Sequence, residues 1–169
     1  MQIVKMPRCL IQKALVFLVF TVSLMSCGHR SIAFQELYAG AHGPNVGGLW
    51  LFDSAEGVRN SWIKGALNEE QYQGILEKVD FNKELLLAFS FSEFRSYSGK
   101  IKIVQIYEIK KEDIAFVNVR IKIGVLGPGC QSNSMAAPFI LAVLPKPKNR
   151  VGGRGYDVMT FEDGCFNKL

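Results

Sequence analysis

Few side chains in this 169-residue chain could perform nucleophilic or metal chemistry: two histidines, His29 and His42, and four cysteines, Cys9, Cys27, Cys130 and Cys165. Nucleophilic catalysis needs a base within hydrogen-bond reach of a Ser or Cys, and a third group to orient that base. His42 lies in the Gly-rich stretch "AGAHGPNVGG", and no nucleophile-elbow or papain-like local motif accompanies it. His29 stands two residues after Cys27, in what reads as a tether too loose to hold a site. Cys130 and Cys165 have no His or Cys neighbour at zinc-ligand spacing. "FEDGC" (161–165) lacks the alternating oxygen ligands of a calcium loop. "VGGRG" (151–155) precedes a strand and reads as a turn, because a phosphate cradle must follow a strand and open a helix. These residues assign no catalytic group, no metal ligand and no cofactor, and the expectation is a protein that is not an enzyme.

The chemistry that does stand out is at Cys27. Lys5, Arg8 and Lys13 form a positive segment, and "ALVFLVFTVSL" (14–24) is an apolar run of signal-peptide length. It is shorter than the roughly 20 residues a membrane span requires. "LMSC" (24–27) follows, and it resembles the bacterial lipobox: an aliphatic residue, a small residue at Ser26, then cysteine. The thiol is needed because a diacylglyceryl thioether forms on it before cleavage in front of it. The expected division is a lipoprotein signal peptide over 1–26, a lipidated tether over 27–30 and one domain over 31–169. Gly28 stands where an Asp would signal inner-membrane retention, so in a host with two membranes the expected place is the outer one, facing the periplasm or the cell surface. The membrane partner is thus reached through acyl chains on Cys27. Cys9 leaves with the signal peptide, so Cys130 and Cys165 remain as a pair in an oxidising compartment, and a disulfide between them is expected. It would close a loop of about 35 residues and stabilise by about 3–4 kcal/mol.

Charge narrows the partners. The formal charge of +5 falls once Lys5, Arg8 and Lys13 are removed, leaving 17 basic against 15 acidic residues. The remaining Lys and Arg are scattered through the sequence rather than clustered. A nearly balanced domain of this kind gives no electrostatic reason to expect nucleic acid.

The elements that must carry any site are mainly strands. "KIKIVQIYEI" and "IAFVNVRIKI" alternate apolar and polar residues around the polar "KKED", which predicts an antiparallel hairpin. "KELLLAFSF" (83–91) and "FILAVL" (139–144) are continuous apolar runs that fit buried strands. "SIAFQELY" (31–38), "LWLFD" (49–53) and "YDVMTF" (156–161) read as further strands. "EGVRNSWI" could open a short helix. One clear helix is predicted at "LNEEQYQGILEKV". There Asn68 and Gln71 form a capping box, and Tyr72, Ile75, Leu76 and Val79 form one apolar stripe. The class is α+β, mainly antiparallel β: a sheet or sandwich of six to seven strands with one clear helix. Two connections stand out as contact surfaces: residues 92–99, with Phe94, Arg95, Tyr97 and Gly99, and residues 127–136. Aromatics and Arg are frequent interface anchors.

From "FQELYAG" (34–40) to "LPKP" (144–147) the order of features resembles the family of the domain at the C-terminus of PrcB, the lipoprotein subunit of a spirochaete surface protease complex. "VDFNKELLLAF" (79–89), "SYSGKIKIVQI" (96–106) and "GPGCQSNSMAAPFILAVLPKP" (127–147) carry the likeness. Where that family has a turn with paired glycines and an aromatic, this chain keeps only Gly99, with Tyr97 before it. The resemblance implies a non-enzymatic lipoprotein that assembles, stabilises or localises a protein partner such as a protease. Two other readings stay open: a protease inhibitor presenting the 92–99 loop, and a small-molecule-binding or structural envelope lipoprotein.

Overall fold

The alternation in "IAFVNVRIKI" becomes one arm of a long antiparallel hairpin, β5 (Tyr97–Lys111) and β6 (Ile114–Leu126). Ala115, Val117, Val119, Ile121 and Ile123 are buried, while Asn118, Arg120 and Lys122 lie on the opposite, partly exposed face. The turn is tighter than the tetrapeptide "KKED" implied. Lys111 pairs with Ile114, so only Glu112 and Asp113 turn the chain, and Glu112 takes φ +52°. The computed structural model describes residues 29–92, 97–127 and 136–163.

Among the described residues, eight strands form two four-stranded sheets, which realises the expected α+β, mainly antiparallel class with its strands in a sandwich. One sheet has the order β1-β5-β6-β8, with β1 at His29–Ile32 and β8 at Arg150–Asp163. The other has the order β2-β7-β4-β3, with β2 at Gln35–Gly40, β3 at Gly48–Phe52, β4 at Glu84–Ser90 and β7 at Phe139–Pro145. The extra strand arises because "SIAFQELY" divides. After Ile32 the chain leaves the first sheet, passes Ala33 and Phe34, and enters the second at Gln35.

"VGGRG" is strand rather than turn. β8 runs through it and pairs parallel with β6 from Ile114↔Arg150 to Leu126↔Asp163. A parallel pair needs a long crossover. Here β7 supplies it: the chain leaves β6, returns through the opposing sheet, and starts β8 level with the start of β6.

The helices are α1 (Ala55–Arg59), α2 (Ile63–Ala66) and α3 (Glu69–Glu77). The capping box forms: Asn68 Oδ1 accepts from Gln71 N at 2.8 Å, and Asn68 N donates to Gln71 Oε1 at 3.2 Å. Tyr72, Ile75 and Val79 are buried and Leu76 packs beside them. The result is three layers. Leu85, Leu87, Phe89, Ile140, Ala142 and Leu144 face the hairpin sheet, and Leu86, Ala88, Phe139, Leu141 and Val143 face the helices. The second sheet is therefore covered on both sides, which is why β4 and β7 are apolar without alternation.

Candidate functional site

The layers have two distinct ends. At one end lie the start of β1, the β5–β6 turn, the end of β3, and the 146–149 connection from β7 to β8. His29 pairs with Ile109, and Lys146 Nζ donates to Asp53 O at 3.4 Å. At the other end β4 and β6 finish and β5 and β7 begin. Ser90 pairs with Phe139, Tyr97 pairs with Val125, and Phe91 N donates to Pro138 O at 2.9 Å. Both connections singled out in the sequence, 92–99 and 127–136, leave from this second end.

Within the first connection, Phe94 and Arg95 lie outside the described residues. Tyr97 and Gly99 differ from the loop placement, because both belong to β5. Tyr97 is half-buried and packs against the core between the sheets. Burial pushes its phenol above the ordinary tyrosine value. Gly99 is exposed at φ +87°, where the pairing with β6 shifts register between Tyr97 and Ile101. A bulge of this kind needs a residue free to take positive φ. Tyr97 thus has a packing role and Gly99 a backbone role. Cys27, Cys130 and Cys165 also lie outside the described residues. The last pair of the β6–β8 ladder is Leu126↔Asp163, so Cys130 and Cys165 follow two paired residues by four and two positions.

The histidines belong to opposite ends. His29 is part of β1, in a place read as tether, and stacks on Tyr107 with ring centroids 5.2 Å apart. His42 is exposed and bridges to Ala137. Among the described residues no three His, Cys, Asp or Glu side chains gather as a metal site, and no helix is long and apolar enough to cross a membrane.

Folding brings together a group that looked scattered. A cleft of about 470 Å³ at the β1 end has Leu51, Leu85 and Val151 in its wall, with Lys146, Arg150 and Arg154 around them. A smaller one of about 270 Å³ is lined by Arg30, Glu108, Lys110, Lys148 and Asn149. The 146–150 segment borders both. These cations come from three distant stretches of sequence, so only the strand order assembles them. A sequence signal existed in "PKPKNR" (145–150), whose three cations fall within six residues.

β8 and β1 are the edges of the hairpin sheet. β1 covers β5 only from Ile106 to Ile109. Beyond it, the Glu36 carboxylate accepts from Ile103 N at 2.7 Å and occupies a backbone donor that would otherwise stay open.

Comparison with protein-family models, with curated proteins and with solved structures finds no match to this chain.

Proposed function

We propose that this chain is a non-enzymatic, lipid-anchored envelope protein that holds a protein partner at the end of its sandwich remote from Cys27. The observation that carries the reading is the polarity of the fold. His29, two residues after the lipobox cysteine, begins β1 at one end, and the 92–99 and 127–136 connections depart from the other. An acyl anchor on Cys27 would seat the first end on the bilayer and present the second to the compartment beyond. The likeness to the PrcB C-terminal domain gives the class of partner, a subunit of an envelope protease complex. The disulfide between Cys130 and Cys165 belongs to this proposal, since it would brace the 127–136 connection against the end of β8.

The test is affinity capture from detergent-solubilised envelopes with the full-length lipoprotein. Beside it runs a Phe94→Ala/Arg95→Ala variant, which leaves the half-buried Tyr97 ring in place. Retention of one envelope protease by the wild type and its loss from the variant is the expected result. Equal retention by both would remove the contact from this loop, and retention of nothing specific would sink the adaptor reading. Inhibition of the captured protease, measured on the purified pair, would turn the reading from adaptor to inhibitor.

A further inference from the structure

We infer that the β1 end of the sandwich is a contact surface for anionic lipid headgroups, an inference that rests on the lipid-anchored reading of Cys27. Two observations choose a bilayer as the occupant. The first is where the chain ends: only Gly28 separates Cys27 from His29, which is already hydrogen-bonded into the sheet. At about 3.3–3.6 Å per residue, an anchor on Cys27 holds His29 within about 7 Å of the anchored cysteine.

The second is charge. The two clefts flanking the 146–150 segment carry Arg30, Lys110, Lys146, Lys148, Arg150 and Arg154 against Asp53 and Glu108. That is six cations to two anions, within a mature chain whose whole balance is 17 to 15. The adjoining turn adds Lys111, Glu112 and Asp113, which leaves the excess positive. None of the six is ion-paired among the described residues. Cations without a carboxylate partner among the described residues, held on strands and short connections, suit the phosphates of a headgroup layer. The attraction is felt within a Debye length of about 8–10 Å. Leu51, Leu85 and Val151 share the wall of the larger cleft with Lys146, Arg150 and Arg154.

The experiment uses the mature lipoprotein reconstituted at low salt into vesicles of phosphatidylcholine alone or of phosphatidylcholine with phosphatidylglycerol. Lysine acetylation rates are read by peptide mass spectrometry, with exposed Lys64 and Lys102 as internal references. Each basic residue near an anionic surface gains about a fivefold preference for it. Lys110 and Lys148 are therefore expected to react about fivefold or more slowly in the anionic vesicles, with the references unchanged and the difference abolished by high salt. In a Lys148→Glu/Arg150→Glu variant, the protection of Lys110 shrinks. Equal rates for Lys110 and Lys148 in the two vesicles, or protection of Lys64 and Lys102 to the same degree, would overturn the inference. The same digest reports the mass on Cys27. An acylated Cys27 without protection fails this inference alone, and an unmodified Cys27 fails the anchor and the inference together.

Discussion

The two sheets reach their stability by different routes. In the β2-β7-β4-β3 sheet, successive residues of β4 serve two cores: Leu86 packs toward the helices and Leu87 toward the hairpin sheet, both fully buried. In the hairpin sheet, Ile121 is buried while its neighbour Lys122 lies on the partly exposed face. The first sheet therefore has no side on which a substitution is free, and the second has one. A surface that this domain offers to a partner is therefore drawn from the hairpin sheet's open face, the outward face of the helices, the edges or the two ends.

That contrast can be broken at adjacent residues. Leu86→Ala and Leu87→Ala are each expected to cost about 2–5 kcal/mol in chemical denaturation, because either change leaves a cavity. A mild effect at one of them would mean that only one face of this sheet is packed. Ile121→Ala falls in the same range, while Lys122→Ala stays within about 0.5 kcal/mol; equal losses would erase the difference between the sheets. If the disulfide forms, reducing it should lower stability by about 3–4 kcal/mol, and thiol counting on the denatured, unreduced protein would detect its absence. Gly99→Ala forces a Cβ into φ +87° and is expected to cost about 1–2 kcal/mol, read as a lower denaturation midpoint. Asn68→Ala removes half the capping box for about 1 kcal/mol. At the hairpin turn, Glu112→Gly relieves a left-handed residue and is expected to stabilise by about 0.5 kcal/mol, read as a higher denaturation midpoint.

What could be read from the sequence was whatever local pattern controls. The capping box, the hairpin and the two apolar strands depend on neighbours a few residues away, and all formed where expected. "VGGRG" was misread because its strand character comes from a distant partner. A Cβ on Gly153 would lie 2.7 Å from the Phe116 ring, so glycine here answers a close approach across the β6–β8 pair, not a turn. "SIAFQELY" was read as one strand because nothing local marks the change of sheet at Ala33 and Phe34. Tyr97 looked like a loop aromatic because its pairing with Val125 is likewise non-local. The cation cluster was legible only in part, as "PKPKNR" (145–150), for the same reason. Arg30, Lys110 and Lys148 become neighbours only once β1 lies beside β5 and β7 hands over to β8.

The placement of β1 and β2 also dictates when each end of the molecule can form. His29 pairs with Ile109 and Gln35 with Val143, so the first strands in the chain wait for partners far downstream. Contacts of such sequence separation form late and slowly, because the intervening chain must first be ordered. In a polypeptide delivered across a membrane from its N-terminus, the opening tract is the earliest to emerge and among the last to find its place. If the chain is exported as proposed, these strands are expected to be laid down late, and until then the unpaired edge of β5 is open to mispairing.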